Sequence, residues 1–371
     1  MSFFYSILNR KILLLVLLLA GFGLVQVYSA SYIFSIEKYN DGLFFFKKQV
    51  LFFIIGLLAL LFIATISWKW ARFIGISLWV LSVLLIIITL IPGIGASAGG
   101  AQRWLDLPFG FRFQPAELFK VSSPFAFMYL IALKEQSFFN HHVFLFWLFP
   151  IFAFALPLLV LALQPDFGTI FLFFCLALSI VFVLGFKWKY IFSALFLISL
   201  GMYLMVIFTP YRMARIKAVL NPWSDPLETG FQVIQSMISF HSGGAFGVGL
   251  GQGQGKLFFL PEAHTDFTLA VFGEETGFIG FCVLLTLYAL LVYYGMQIAL
   301  RTEDLLQKVL AFSLSMVFAF STIIHIGVNL GILPPKGLTL PFMSYGGSAL
   351  VCTFLLFGWL LNIEKHNHFV Y

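Results

Sequence analysis

Residues 11–30 of this chain read KILLLVLLLAGFGLVQVYSA, and this stretch decides the fold. After Lys11 it holds no charged side chain over a length close to the ~20 residues that cross the hydrocarbon core of a bilayer. The basic residues before it and the cluster Ser29-Ala30-Ser31 are also typical of a signal peptide. Because many more apolar segments follow, we predict that this one is a retained membrane helix.

Ten apolar segments in all are long enough to span a membrane. Their approximate ranges are 11–30, 48–66, 70–92, 114–133, 143–163, 167–185, 190–209, 266–296, 309–331 and 343–363. The 371 residues are 61% hydrophobic and only 10% charged, with a mean hydropathy of +1.02, whereas a soluble domain of this length needs more charge. We therefore predict an all-α polytopic membrane protein in which residues 1–371 form a single transmembrane domain.

The net charge of +6 fits a membrane protein whose basic loops face an anionic leaflet, and it is no sign of nucleic-acid binding. Basic residues are evenly divided between the two sides, but those in the short loops abut helix ends. This density favours an N-terminus and a C-terminus that are both cytoplasmic. The three cysteines lie in apolar runs without metal-like spacing, which is typical of buried thiols.

Two loops stand out by length, residues 92–113 and about 210–265. The second is far longer than a connector needs to be, and we expect it on the outer face. Its segment Phe231–Phe240 predicts a helix lying in the membrane interface. The glycine-rich run 243–251 excludes a regular helix and allows the backbone to approach another group closely.

Glu117 and Lys120 lie three residues apart near a predicted span, which places them on one face of a helix. A charge near the membrane core costs about 2.5–3.5 kcal/mol on insertion scales, so the pair needs a reason. Two interpretations stay open: an ion pair that neutralises itself, and a cation or phosphate site built from the two side chains.

The segment 259–267, FLPEAHTDF, places Asp266 where a loop meets a helix. Local rules favour a helix N-cap by Thr265 or Asp266. However, carboxylates at a water–lipid border also act as general bases or bind cations, and other acidic side chains lie nearby. These neighbours are Glu262, Glu274 and Glu275, together with His264, which alone is more often a structural histidine.

Arginines supply possible phosphate contacts. Arg212, Arg215 and Lys217 open the long loop, either as a solvated helix end or as a cradle for a diphosphate, whose oxygens match the guanidinium fork. Arg103 allows a second such contact. Its neighbour Trp104 is either an interface anchor or a face on which a sugar stacks.

These features support two classes of function, an enzyme that acts on an anionic lipid at the outer face and a transporter or flippase of such a lipid. A transporter is expected to keep polar residues near mid-membrane, often on broken helices. Here the charges crowd the outer rim, which favours the enzyme.

Several motifs, taken together, resemble the SEDS family (shape, elongation, division and sporulation), the group of RodA and FtsW. They run in family order across nearly the whole chain. The Lys336-Gly337-Leu338 run is similar to the FtsW branch, and the departures, Ala116 and Ala349, touch no charged residue. The matching stretches are 100–104, 113–120, 164–168, 211–216, 232–251, 259–267, 273–275 and 333–348.

The resemblance implies a ten-helix peptidoglycan glycosyltransferase of the bacterial cytoplasmic membrane. Its substrate is expected to be lipid II, a disaccharide-pentapeptide on undecaprenyl diphosphate, which it adds to a lipid-linked glycan in cell division. Expected partners are a class B penicillin-binding transpeptidase, membrane lipid and a divalent cation, Mg²⁺ or Mn²⁺. An older interpretation of the family is lipid II flipping.

The resemblance also assigns roles to residues of this chain. Asp266 is expected to be the essential catalytic carboxylate. The residues expected to contact substrate are Arg103, Trp104, Glu117, Lys120, Arg212, Arg215, Glu262, His264, Lys336 and Ser344.

Overall fold

The computed structural model describes residues 11–98, 101–135, 151–207, 210–335 and 337–368, and most of them are helical. The predicted helical membrane architecture is confirmed. The helices are α1 (Lys11–Tyr39), α2 (Phe44–Thr65), α3 (Trp68–Ile88), α4 (Pro115–Glu135), α5 (Leu156–Leu163), α6 (Phe167–Val183), α7 (Trp188–Ile207), α8 (Pro210–Leu220), α9 (Phe231–Gly243), α10 (Thr268–Arg301), α11 (Leu305–Asn329) and α12 (Gly347–His368).

Six of the described helices are long and apolar enough to cross a membrane, namely α1, α2, α3, α10, α11 and α12. The predicted span 143–163 lies partly outside the described residues. Its described part is a π-helical turn, Ile151–Ala155, followed by α5. The count of ten spans therefore stays a prediction.

The loop 92–113 differs from its prediction because it forms a small antiparallel sheet. The strands are β1 (Gly95–Ala98), β2 (Ala101–Leu107) and β3 (Phe111–Phe113), in the order β1-β2-β3. Gly95 pairs with Leu105, and Leu105 pairs in turn with Phe113. The sequence pattern misses β1 because GASA has no alternation of large apolar and polar side chains.

The described chain divides into two compact units. The first contains the residues up to Leu51, Phe174–Leu291 and Ala319–Gly346, and the second contains Phe52–Phe173, Val292–Phe318 and the residues from Gly347 onward.

In the second unit the core forms around Trp359 of α12, whose ring lies 4.8 Å from the ring of Phe125 and whose Nε1 donates to Ala71 O at 3.1 Å. Asn362 donates to the carbonyls of Ile63 and Ile66 at the end of α2, at 2.7 and 2.8 Å. These bonds satisfy carbonyls that a helix terminus leaves without partners.

In the first unit α10 is broken at Gly277, where φ is 69° and ψ is −170°. A Cβ atom there would overlap the backbone nitrogen of Gly247, so only glycine fits. The sequence predicted one continuous span over residues 266–296, and the structure shows this internal break within it.

The glycine-rich segment 244–249 fills the break and takes over its backbone hydrogen bonds. The N–H groups of Phe278 and Ile279 donate to the carbonyls of residues 244 and 245, at 2.9 and 3.1 Å. The carbonyls of residues 274 and 275 accept the N–H groups of residues 248 and 249, at 3.0 and 3.1 Å. Backbone groups at membrane depth need such protein partners because lipid offers none. The prediction that this glycine run is irregular and approaches another backbone closely is therefore confirmed.

Candidate functional site

Asp266 lies in a tight turn that leads into α10 in the first unit. The carbonyl of Glu262 accepts the N–H groups of Thr265 and Asp266 at 3.1 Å and that of Phe267 at 3.3 Å. Glu262 has a positive φ of 54°, and its carboxylate is exposed and accepts the Thr265 hydroxyl at 3.0 Å. The turn presents the side chain of Asp266 partly exposed, two residues before the helix begins at Thr268.

The cap of α10 differs from the local prediction, because Phe267 rather than Thr265 or Asp266 precedes the first helical residue. The side chain of Asn329, the last residue of α11, supplies the capping hydrogen bond to the first turn of α10. Its Oδ1 accepts the first-turn N–H of Ala270 at 3.0 Å, and its Nδ2 donates to the Asp266 carbonyl at 2.9 Å. Sequence reasoning missed Asn329, although an asparagine in an apolar span is the signal that points to such a role.

His264 is buried in an aromatic cluster in the first unit. Its ring lies 5.1 Å from the ring of Phe34, 4.8 Å from that of Phe45 and 6.0 Å from that of Tyr345, and its carbonyl accepts the Tyr345 N–H at 2.9 Å. Burial lowers the pKa of His264, and the charge of Lys38 lowers it further, while Glu262 raises it. Burial also raises the pKa of Tyr345 to about 12. A neutral histidine packed on these rings is a support for the Asp266 turn.

Glu274 and Glu275, on the first turns of α10, are buried and used within the protein. The Glu274 carboxylate accepts the N–H groups of Gln254 and Gly255, at 2.9 and 3.0 Å. Glu275 Oε1 lies 2.6 Å from both Lys256 Nζ and Ser29 Oγ. These bonds fasten the π-helical turn Gly255–Phe259, just before the Asp266 turn, to α10 and α1.

Glu117 and Lys120 form an ion pair on α4 in the second unit. Lys120 Nζ lies 2.7 Å from Glu117 Oε1, and both residues are 5% exposed. The first of the two interpretations, a self-neutralising pair, therefore describes the geometry. The N-terminal end of α4 is held by the Ser348 hydroxyl, which accepts the Gln114 N–H at 3.1 Å.

Arg103 and Trp104 are successive, partly exposed residues of β2, also in the second unit. The Arg103 guanidinium donates to the carbonyls of Gln164, at 3.0 Å, and Pro165. It thus holds the sheet against the turn that precedes α6, where Asp166 accepts the Thr169 hydroxyl at 3.0 Å.

The other predicted residues lie in the first unit. Arg212 and Arg215 share α8, and Arg215 donates to the Pro335 carbonyl at 2.6 Å. Ser344 is buried, and its hydroxyl accepts the Leu340 N–H at 3.0 Å within its own turn. Lys336 lies outside the described residues.

The structure thus brings Asp266, Glu262 and His264 together in one turn, and pairs Glu117 with Lys120. Within the described part of the chain no group of three His, Cys, Asp or Glu side chains is arranged to hold a metal ion.

The chain is similar to known proteins over nearly its whole length. A model of the family described as "Cell cycle protein" (FTSW_RODA_SPOVE) matches residues 9–369. The probable peptidoglycan glycosyltransferase FtsW of Geobacter metallireducens is 39% identical over 360 residues, which are 95% of this chain and 93% of that protein. Stage V sporulation protein E of Bacillus subtilis is 37% identical over 361 residues, 96% of this chain and 97% of that protein.

Solved structures share the fold. A chain from work on "structural coordination of polymerization and crosslinking by a peptidoglycan synthase complex" has a TM-score of 0.77 at 28% identity, covering 96% of this chain and 97% of that one. The rod shape determining protein RodA of Thermus thermophilus has a TM-score of 0.68 at 23% identity, covering 97% of both chains.

Proposed function

Because this chain belongs to the FtsW, RodA and SpoVE family of cell cycle proteins, we propose that it is a peptidoglycan glycosyltransferase. In this proposal it polymerises lipid II into glycan strands at the outer face of the bacterial cytoplasmic membrane during cell division. The FtsW relatives, named as probable peptidoglycan glycosyltransferases, support the activity over 95% of the chain.

Asp266 is the proposed general base. The observation that supports this role is the exposure of the acidic residues near the turn: Asp266 is partly exposed two residues before α10, whereas Glu274 and Glu275 are buried. The carboxylate of Glu262 is also exposed, but it accepts the Thr265 hydroxyl within the turn. Asp266 takes the proton from the sugar 4-hydroxyl of the acceptor as that oxygen attacks the anomeric carbon of the donor. The bond from this carbon to the diphosphate oxygen breaks, and the diphosphate leaves on its lipid.

One displacement turns the α-linked diphosphate into a β-linked product, so the reaction needs no covalent enzyme intermediate. The cations proposed to stabilise the leaving diphosphate are Arg103, Arg212 and Arg215, and under the second interpretation of its pair with Glu117 also Lys120. A positive charge near a developing negative charge lowers the barrier. The remaining residues of the proposed substrate-binding set are Trp104, Glu117, Glu262, His264, Lys336 and Ser344.

We propose that a divalent cation, Mg²⁺ or Mn²⁺, binds together with the diphosphate of the substrate. Since the described residues lack a three-ligand cluster, a cation here would depend on the diphosphate oxygens for much of its coordination, as Mg²⁺ often does.

A second function, lipid II transfer across the bilayer, is favoured by the break in α10. Transporters often build their sites at broken helices, and Glu275 and Lys256 lie buried near this break. However, the loop 244–249 supplies the backbone partners at the break, and the two charges neutralise each other at 2.6 Å. The break is therefore filled by protein groups, which favours a structural role over an ion or substrate site.

The proposal extends to the setting of the enzyme. We expect cytoplasmic N- and C-termini, the long loop 210–265 on the outer face, and both compact units acting as one transmembrane domain. A class B penicillin-binding transpeptidase is the proposed partner, supported by the likeness to a chain of a peptidoglycan synthase complex.

The test is glycan polymerisation by the purified full chain in liposomes supplied with lipid II. It is run with and without a class B transpeptidase and with Mg²⁺, Mn²⁺ or a chelator. Asp266→Asn keeps the shape of the side chain and removes the base, and Asp225→Asn is the control because Asp225 is a partly exposed aspartate of the same long loop. Polymer from the wild type and the control, and none from Asp266→Asn, supports the proposal. Lipid II transfer without polymer under any condition would replace it with the flippase.

A further inference from the structure

We propose that Asn329 is a positioning residue that holds the backbone of Asp266 in place for proton transfer. The inference rests on the proposed function, because it concerns how the general base is oriented. Asn329 does not contact substrate in this proposal. It acts through the Asp266 main chain.

The geometry is a three-way junction inside the first unit. Asn329 Nδ2 donates to the Asp266 carbonyl at 2.9 Å and to the His325 carbonyl at 3.0 Å, while Oδ1 accepts the Ala270 N–H at 3.0 Å. One side chain therefore bonds to the residue that carries the base and to the first turn of the helix that follows it. Since the Asp266 carbonyl carbon is bonded to its Cα, fixing this peptide restricts the direction in which the carboxylate points.

Asn329 is itself held firmly. It is 0% exposed, and its main-chain carbonyl accepts the Ser236 hydroxyl of α9 at 2.6 Å. Ser236 is also 0% exposed. A carbonyl in the last turn of a helix has no partner in its own helix, so Ser236 fixes the end of α11 that carries the amide.

A leucine has the same number of side-chain heavy atoms, branched at the same carbon, and its apolar side chain suits a membrane span better. The Asn329 amide uses both its acceptor and its donor, and a buried polar group left without partners would cost about 1–3 kcal/mol. Helix capping alone requires only the acceptor for Ala270. The bond from Nδ2 to the Asp266 carbonyl is the additional feature, and it holds the main chain of the residue that carries the reacting carboxylate.

Asn362 of α12 provides a matched control. It too is 0% exposed and uses Nδ2 to bind two carbonyls, those of Ile63 and Ile66, but it belongs to the second unit. Asn329→Leu and Asn362→Leu therefore both remove a buried amide that donates to two carbonyls, and Asn329→Leu removes in addition the acceptor of the Ala270 N–H. A structural contribution is common to both, and positioning of Asp266 belongs to Asn329 alone.

The experiment measures kcat and KM for lipid II polymerisation by the full chain with its transpeptidase, corrected for the folded fraction by gel filtration and thermal unfolding. Asn329→Leu is expected to lower kcat by about 100-fold, as small misplacements of catalytic groups do, with KM changed less than about 3-fold. Asn362→Leu is expected to keep kcat within about 3-fold of the wild type. Asn329→Asp keeps the acceptor for Ala270 and loses the donor to Asp266, so it should share the kcat defect.

Three outcomes separate the positioning role from the proposed function. If Asn329→Leu keeps the wild-type kcat per folded molecule while Asp266→Asn is inactive, the positioning role is wrong and the base remains. If both asparagine variants lose kcat equally, Asn329 is only structural. If the wild type makes no polymer, the proposed function itself fails. A double variant, Asp266→Asn with Asn329→Leu, should be no slower than Asp266→Asn alone, because both changes affect one step.

Discussion

At the scale of single residues, two pairs of buried charges in the described part of the chain neutralise each other. Lys120 binds Glu117 at 2.7 Å in the second unit, and Lys256 binds Glu275 at 2.6 Å in the first. Removing one member of such a pair leaves an uncompensated buried charge, which costs more than the pair contributes. We therefore expect the substitution of one member of either pair to lower the stability of the protein strongly.

For the α4 pair we expect Glu117→Lys or Lys120→Glu alone to destabilise the protein by about 3–5 kcal/mol. The double swap restores opposite charges at the same spacing on the helix face, so it should recover most of the thermal stability in detergent. Polymerisation by the swapped protein then separates the two interpretations. Recovered activity indicates an ion pair only, and recovered stability without activity assigns Glu117 or Lys120 a task in the site.

For His264 we expect a pH-dependent contribution to stability. Burial lowers the pKa of the folded state below the unfolded value of about 6.5, so the neutral ring is favoured on folding. The contribution is fully present above pH 6.5 and is lost as the pH falls below it. Between pH 7.5 and pH 5 the melting temperature of the wild type should therefore fall more steeply than that of His264→Phe. If the melting temperatures of the two proteins fall equally with pH, His264 makes no such pH-dependent contribution to stability.

At the scale of elements, the break in α10 depends on one glycine and on the segment 244–249. Gly277→Ala introduces a Cβ at φ 69° and against the Gly247 nitrogen, so we expect a loss of at least about 2 kcal/mol in unfolding free energy. Gly21→Ala is the control, because a Cβ there meets nothing within 4 Å. Thermal unfolding measures the difference in stability between the two variants. Equal melting temperatures would show that the break tolerates a Cβ atom at position 277.

At the scale of the whole molecule, orientation in the membrane is the open prediction. In a cysteine-free background, Asp225→Cys in the long loop should react with a membrane-impermeant maleimide added to intact cells. Asn367→Cys at the end of α12 should react only after the membrane is opened. Labelling of both sites from outside would contradict the cytoplasmic C-terminus.

Much of this architecture follows from the sequence by itself. A membrane helix must bury about 20 apolar residues whatever surrounds it, so the positions of α1, α2 and α3 could be read from composition alone. The amphipathic segment at residue 231 likewise predicted α9, and the spacing of Glu117 and Lys120 predicted their shared face. These are local properties, set by residues close together in the chain.

Only the tertiary structure decided the sheet of residues 95–113, the closed break at Gly277 and the role of Asn329. Each depends on groups far apart in sequence: Asn329 reaches Asp266 across 63 residues, and residues 248 and 249 replace a hydrogen-bond partner within α10. Backbone groups in a membrane must find a partner inside the protein, but local pattern does not say which one. The sequence therefore determines that polar groups here need partners, and the packing of the helices determines who those partners are.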